Sequence, residues 1–171
     1  MHPYSQTPVG QTAPRRAQTA RLAPLIGLLM LLVSAVPVWA HTSTLTAVLT
    51  SGQEPPPNTN DSPAFGVAFV TFNLESGELC FSISYEASAL TSAETAAHFH
   101  APAPPGENAP VVVPLPTAGS PKNGCVTPDL TGDQRRALFE GRWYVNIHTA
   151  NHPGGEIRGQ VIPHVAPVFH P

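Results

Sequence analysis

The chain has 171 residues, of which 42% are hydrophobic and only 11% charged, with 21 prolines, 13 glycines and a formal charge of −3. All eleven acidic residues follow position 40, whereas three of the eight basic ones precede it, so the main body is acidic. That argues against a nucleic-acid partner, whose phosphates require a basic surface. Sparse charge with abundant proline suits either loop-rich β structure or partial disorder, and the regular alternation below favours β.

The first element reads as an export signal over residues 1–40. Arg15, Arg16 and Arg21 form a positive n-region, the run from Leu22 to Val36 is apolar, and Val38 and Ala40 are small residues placed for cleavage after Ala40. The apolar core spans about 15 residues, short of the roughly 20 a membrane helix needs. The residues after Arg15-Arg16 are not those of a twin-arginine signal. A cleaved secretory signal is therefore expected, with an uncleaved anchor as the alternative. The product would be secreted, periplasmic or cell-surface and would make no membrane contact after cleavage. Residues 41–163 form one domain by length, and 164–171 read as a flexible tail.

Leu45 to Thr50 alternates as a strand, and Ser51 to Pro63 is a loop because three successive prolines cannot donate to a ladder. Ala64 to Leu74 is a second strand, apolar on both faces, which suggests a switch of faces at a bulge near Gly66. A tight turn at 75–78 joins it to a third strand, Leu79 to Glu86, as a hairpin. Thr95 to Ala101 is a fourth strand. Val111 to Leu115 is a fifth, and Pro114 places it at a sheet edge. Gly119 to Gly124 reads as a turn leading to Cys125. Thr131 and Gln134 have capping-box spacing for a short helix, Asp133 to Glu140, that stops at Gly141. Strands over Trp143 to His148 and Glu156 to Ile162 complete an all-β, Greek-key sandwich or barrel with one short helix.

The two cysteines, Cys80 and Cys125, are an even pair without a CxxC motif. In an exported chain they read as a structural disulfide contributing on the order of 3–4 kcal/mol. Glu156 and Arg158 alternate on one strand face and read as a surface pair worth at most about 1 kcal/mol.

Eight histidines are present, and two segments concentrate them. In Thr95-Ala-Ala-His98-Phe-His100, strand alternation puts His98 and His100 on one face and Ala97, Phe99 and Ala101 on the other. In Trp143 to His148, Tyr144, Asn146 and His148 share a face opposite Trp143, Val145 and Ile147. The histidines thus lie opposite the expected core. His-x-His plus a third histidine from another strand can chelate copper or zinc, and His152, in the Pro-Gly-Gly turn, is a candidate fourth ligand. Spacing does not establish that the two strands are neighbours. A solvated face carrying histidines, or a hydrogen-bonded cluster tying loops to the sheet, remains open. His41 would become the amino terminus after cleavage and could chelate copper with its own amine; chance placement is the simpler reading. His164 and His170 sit in the tail. No nucleophile elbow, HExxH motif or spaced carboxylate pair points to catalysis.

Four ordered motifs then carry a resemblance: Leu49 to Pro56, Thr95 to Pro102, Pro105 to Val113 and Tyr144 to Gln160. Together, over Leu45 to Ile162, they resemble the CHRD domain first described in chordin. That resemblance implies an exported binding module with an extracellular protein partner. A weaker resemblance, to copper/zinc superoxide dismutase, rests on the order of His98, His100 and His148, which would match copper ligands. The loop Pro102 to Pro110 holds no histidine or aspartate, so the zinc subsite has no counterpart. The leading expectation is a binding protein whose cofactor, if it has one, is copper. A metal-free adhesion or scaffold module and a dismutase-like redox enzyme are the alternatives.

Overall fold

The computed structural model describes residues 42–56, 60–116 and 119–164. The export signal expected over 1–40, His41 and tail residues 165–171, including His170, lie outside them. Among the described residues there are eight strands: β1 (Thr42–Thr50), β2 (Phe65–Asn73), β3 (Leu79–Tyr85), β4 (Glu94–His100), β5 (Val111–Pro114), β6 (Lys122–Val126), β7 (Trp143–Thr149) and β8 (Ile157–Pro163). One helix, α1 (Gly132–Phe139), lies between β6 and β7. All neighbouring strands are antiparallel, in the order β5-β4-β7-β8-β1-β2-β3-β6. The sandwich or barrel expected from the sequence is thus a single curled sheet.

Curling brings the two wings of the sheet together around one core. Phe81 of β3 meets Phe99 of β4 edge to face, ring centroids 6.1 Å apart, and Phe99 in turn packs on Trp143 of β7 at 6.2 Å. The core is built by alternation: Leu45, Ala47 and Leu49 from β1, Leu79, Phe81 and Ile83 from β3, and Val145 and Ile147 from β7 all point inward. Helix α1 packs on this core, with Phe139 against Phe72 at 5.9 Å and the Gln134 carbonyl accepting from the Trp143 indole. Its start is the capping box read from the sequence, the Thr131 hydroxyl accepting from the Gln134 amide and the Gln134 side chain from the Thr131 amide. Gly141, at φ +69°, follows its end.

Two local expectations fail. No bulge interrupts β2: its register with β1 runs unbroken from Thr50 opposite Phe65 to Thr42 opposite Asn73. Gly66, Ala68, Val70 and Phe72 take the core face throughout, and the second apolar set is simply outside, Phe65 50% and Phe69 62% exposed. The turn read over 119–124 contains a strand start, because β6 begins at Lys122 and pairs with β3 from Ile83 opposite Lys122 to Leu79 opposite Val126. Lys-Asn-Gly has no apolar alternation to announce it. Its Lys122 is buried instead by an ion pair with Glu94 at 2.6 Å, and Glu94 also accepts from the Tyr85 hydroxyl. Cys80 and Cys125 face each other directly in the β3–β6 register and form the expected disulfide. β5 is an edge strand, as Pro114 indicated.

Candidate metal centre

Strands β4 and β7 are neighbours, which supplies the adjacency that spacing alone left open. Their register sets Ala96 opposite His148, His98 opposite Asn146 and His100 opposite Tyr144. His148 is therefore the diagonal neighbour of His98 on the outer face, and His100 follows His98 two residues along. His98 Nδ1 lies 3.2 Å from His148 Nε2. One nitrogen from each of the three rings falls within 4.8 Å of the others. Two nitrogens bound at about 2.0–2.1 Å to one tetrahedral ion stand about 3.3 Å apart, so the His98–His148 separation already suits a shared ion.

Backbone carbonyls decide which nitrogen each ring offers. His148 Nδ1 is 2.9 Å from the Pro153 carbonyl, and His100 Nδ1 is 2.9 Å from the Ala109 carbonyl. A carbonyl only accepts, so both Nδ1 atoms carry the proton in the neutral ring and both Nε2 atoms present a lone pair. His148 Nε2 points at His98. His100 Nε2 is buried and has no hydrogen-bond partner. This is the arrangement in which metal-binding histidines are oriented by their far nitrogen. Burial lowers the pKa of all three rings. The Ala109 and Pro153 carbonyls partly offset this at His100 and His148, as does the Asn146 side chain at His100, and the neighbouring imidazoles lower both further. The unprotonated, ligating form is favoured.

The outer face at this point is covered, which alternation could not reveal. Tyr144, Asn146 and Arg158 are buried. The Tyr144 ring stacks on His100 at 4.6 Å with the planes 4° apart, and the Arg158 guanidinium sits 3.4 Å from the Tyr144 centroid on the same ring. Glu54, just after the 3-10 turn Ser51–Gln53, reaches in from the loop that follows β1. Burial pushes its carboxyl up to about 7, eased by the Arg158 charge and by the Asn146 amide, which donates to it. Gly155, at φ +130°, makes room for it, since a Cβ there would lie 2.0 Å from Glu54 Oε1.

The expected Glu156–Arg158 surface pair is corrected by the same covering. Glu156 is fully buried and accepts from the hydroxyls of Ser62, Thr91 and Thr149 and from the Thr91 amide, while Arg158 turns to Tyr144. His152 is not among the three gathered histidines. Its backbone shapes the turn by accepting from the Thr149 and Gly155 amides, and the residue lines a cleft of about 290 Å3 with Glu54, Asn108 and Asn151. His164, just past β8, sets its ring against the Thr46 hydroxyl. Glu78 approaches Cys80 and Cys125, but sulfurs joined in a disulfide offer no thiolate to a metal. Asn146, Tyr144 and Glu54 are the site neighbours that sequence reading did not single out; for the first two the signal was their alternation with His148.

Residues 45–161 match the family model of the CHRD domain, and the chain belongs to that family. CHRD domains are typically extracellular, and the family implies a binding module for proteins. The disulfide is consistent with that setting, and among the described residues no helix is long and apolar enough to cross a membrane. No curated protein and no solved structure matches the chain.

Proposed function

We propose that this CHRD domain works outside the cytoplasm, secreted, periplasmic or cell-surface, and holds one transition-metal ion at His98, His100 and His148, with copper the first candidate. The observation that carries this reading is the unpartnered, buried Nε2 of His100 beside the close His98–His148 pair. A buried acceptor without a donor is costly, about 1–3 kcal/mol, and an ion shared with the other two nitrogens removes that cost. Three neutral imidazoles suit copper(II) and zinc, with copper(II) bound more tightly at a given nitrogen site.

Titration of the protein with copper(II) and zinc(II) tests this. One equivalent should bind, and His98→Ala or His148→Ala should abolish or strongly weaken binding. Absence of stoichiometric binding, or binding unchanged in both variants, overturns it. The metal-free module then gains, since the His98–His148 contact can also be a plain hydrogen bond between β4 and β7. In that case the same substitutions lower Tm equally with and without chelator.

A further inference from the structure

We propose that Asn146 is a fourth member of this centre, its Oδ1 an oxygen donor to the ion that His98, His100 and His148 hold; the inference rests on the histidine reading above. Asn146 occupies the middle of the constellation. It pairs with His98 on one side and with Arg158 on the other, and on its own strand it lies two residues from both Tyr144 and His148. Its side chain is buried, and Oδ1 has no hydrogen-bond partner.

The Asn146 side chain favours the ionised Glu54 carboxylate through its NH2 group, and Oδ1 is the buried atom left without a partner. The amide also meets the His100 ring, where Oδ1 would accept from Nε2–H of the protonated form. His100 has its proton on Nδ1, committed to the Ala109 carbonyl, so what it offers Asn146 is the lone pair of Nε2. Two buried acceptors therefore share one neighbourhood with no donor assigned to either. Moving the His100 proton to Nε2 would relieve this contact but would set two lone pairs against each other at the 2.9 Å Nδ1–Ala109 contact. A second proton on His100 would satisfy both atoms, but burial and the neighbouring imidazoles oppose it; a metal ion satisfies both without that cost. The pattern repeats that of the histidines: Pro153 holds His148, Ala109 holds His100 and Glu54 holds Asn146, each through the atom that does not face the ion. Three imidazoles and one amide oxygen make a borderline donor set that accepts copper(II) or zinc.

The experiment uses the full chain, copper(II) and zinc(II) titrations, and electron paramagnetic resonance of the copper(II) form. Asn146→Leu should weaken binding by about 10–100-fold and shift the copper(II) g and hyperfine values. Asn146→Asp, which keeps the size and adds charge, should tighten binding and shift them differently. His148→Ala is run beside them. Loss of binding in His148→Ala with affinity and spectrum unchanged in Asn146→Leu overturns the role of Asn146 while the histidine site stands. An ordered water bridging the two acceptors gives that same result. Binding unaffected by His148→Ala overturns both readings. Should Asn146→Leu fail to fold, Asn146→Asp decides alone: an unchanged affinity and spectrum overturns the inference.

Discussion

Glu156 carries its charge where no water reaches it, and the hydrogen bonds around it explain how. Burial pushes its pKa up, but Ser62, Thr149 and the Thr91 amide and hydroxyl together hold it below the ordinary value of 4.5. These partners come from the loop before β2, the loop before β4 and the end of β7, so one carboxylate fastens three segments around the start of β8. Glu156→Gln replaces one acceptor oxygen by an NH2 group facing donors, and should cost about 2–3 kcal/mol in urea unfolding. The sign with pH follows from the lowered pKa. The charged group stabilises the fold above the unfolded-state value and loses that contribution as pH falls through the folded-state value. The gap between wild type and Glu156→Gln should therefore be full near neutral pH and shrink as pH drops below about 4.5; a gap that stays constant would show that charge is not what holds the loops. The sequence allowed Glu156 and Arg158 to be placed on one face, and even to be paired, because alternation reports direction and not cover. The histidines were legible on the same grounds, since three of them fell on non-core faces. Asn146 was equally placed but carried no distinguishing chemistry until its neighbours were known.

Strand β2 separates direction from cover even more plainly. Phe72 and Phe69 are chemically identical and three residues apart, yet Phe72 is 0% exposed and Phe69 62%. Phe72→Ala should cost about 3–5 kcal/mol and Phe69→Ala less than about 1 kcal/mol, measured by denaturant midpoint at constant m. Comparable losses would mean that something covers the outer face of β1 and β2. The bulge expected near Gly66 was a way to bury both apolar sets; the protein instead leaves one outside. Close approach of strands sets a second limit at Gly159 of β8, where an added Cβ would lie 2.6 Å from the Val48 carbonyl oxygen. That atom belongs to the backbone of the adjacent strand and cannot rotate away, so Gly159→Ala should destabilise by about 1–3 kcal/mol. Strand β6 escaped sequence reading for the opposite reason. Its partner β3 was legible by alternation, whereas β6 is held at the sheet edge by register, by the buried Lys122–Glu94 pair and by a covalent bond, and none of these leaves an apolar pattern.

At the scale of the whole sheet, the strand order separates what holds the fold closed from what would hold a metal. The disulfide joins β3 to β6 at one end of the order, and the histidines lie on β4 and β7 near the other, with β8, β1 and β2 between them. The wings meet again across the core through Phe81 and Phe99, but the histidine rings project from the outer faces of β4 and β7, away from that contact. Removing the disulfide should therefore cost stability without reshaping the site. Cys80 and Cys125 are 45 residues apart, and the chain-entropy treatment gives about 4 kcal/mol for a loop of that size. Edge strand β6, which loses the covalent tie to its single strand neighbour β3, should be the element most loosened by the change. The double variant Cys80→Ser/Cys125→Ser should show a Tm well below that of the oxidised protein and early amide exchange in β6. Its zinc(II) affinity, measured below the lowered Tm, should equal that of wild type. A fall in affinity in step with the loss of the disulfide would mean that strain at β6 reaches β4 through the Phe81–Phe99 contact, and that the two wings act as one unit rather than as a fastening and a site.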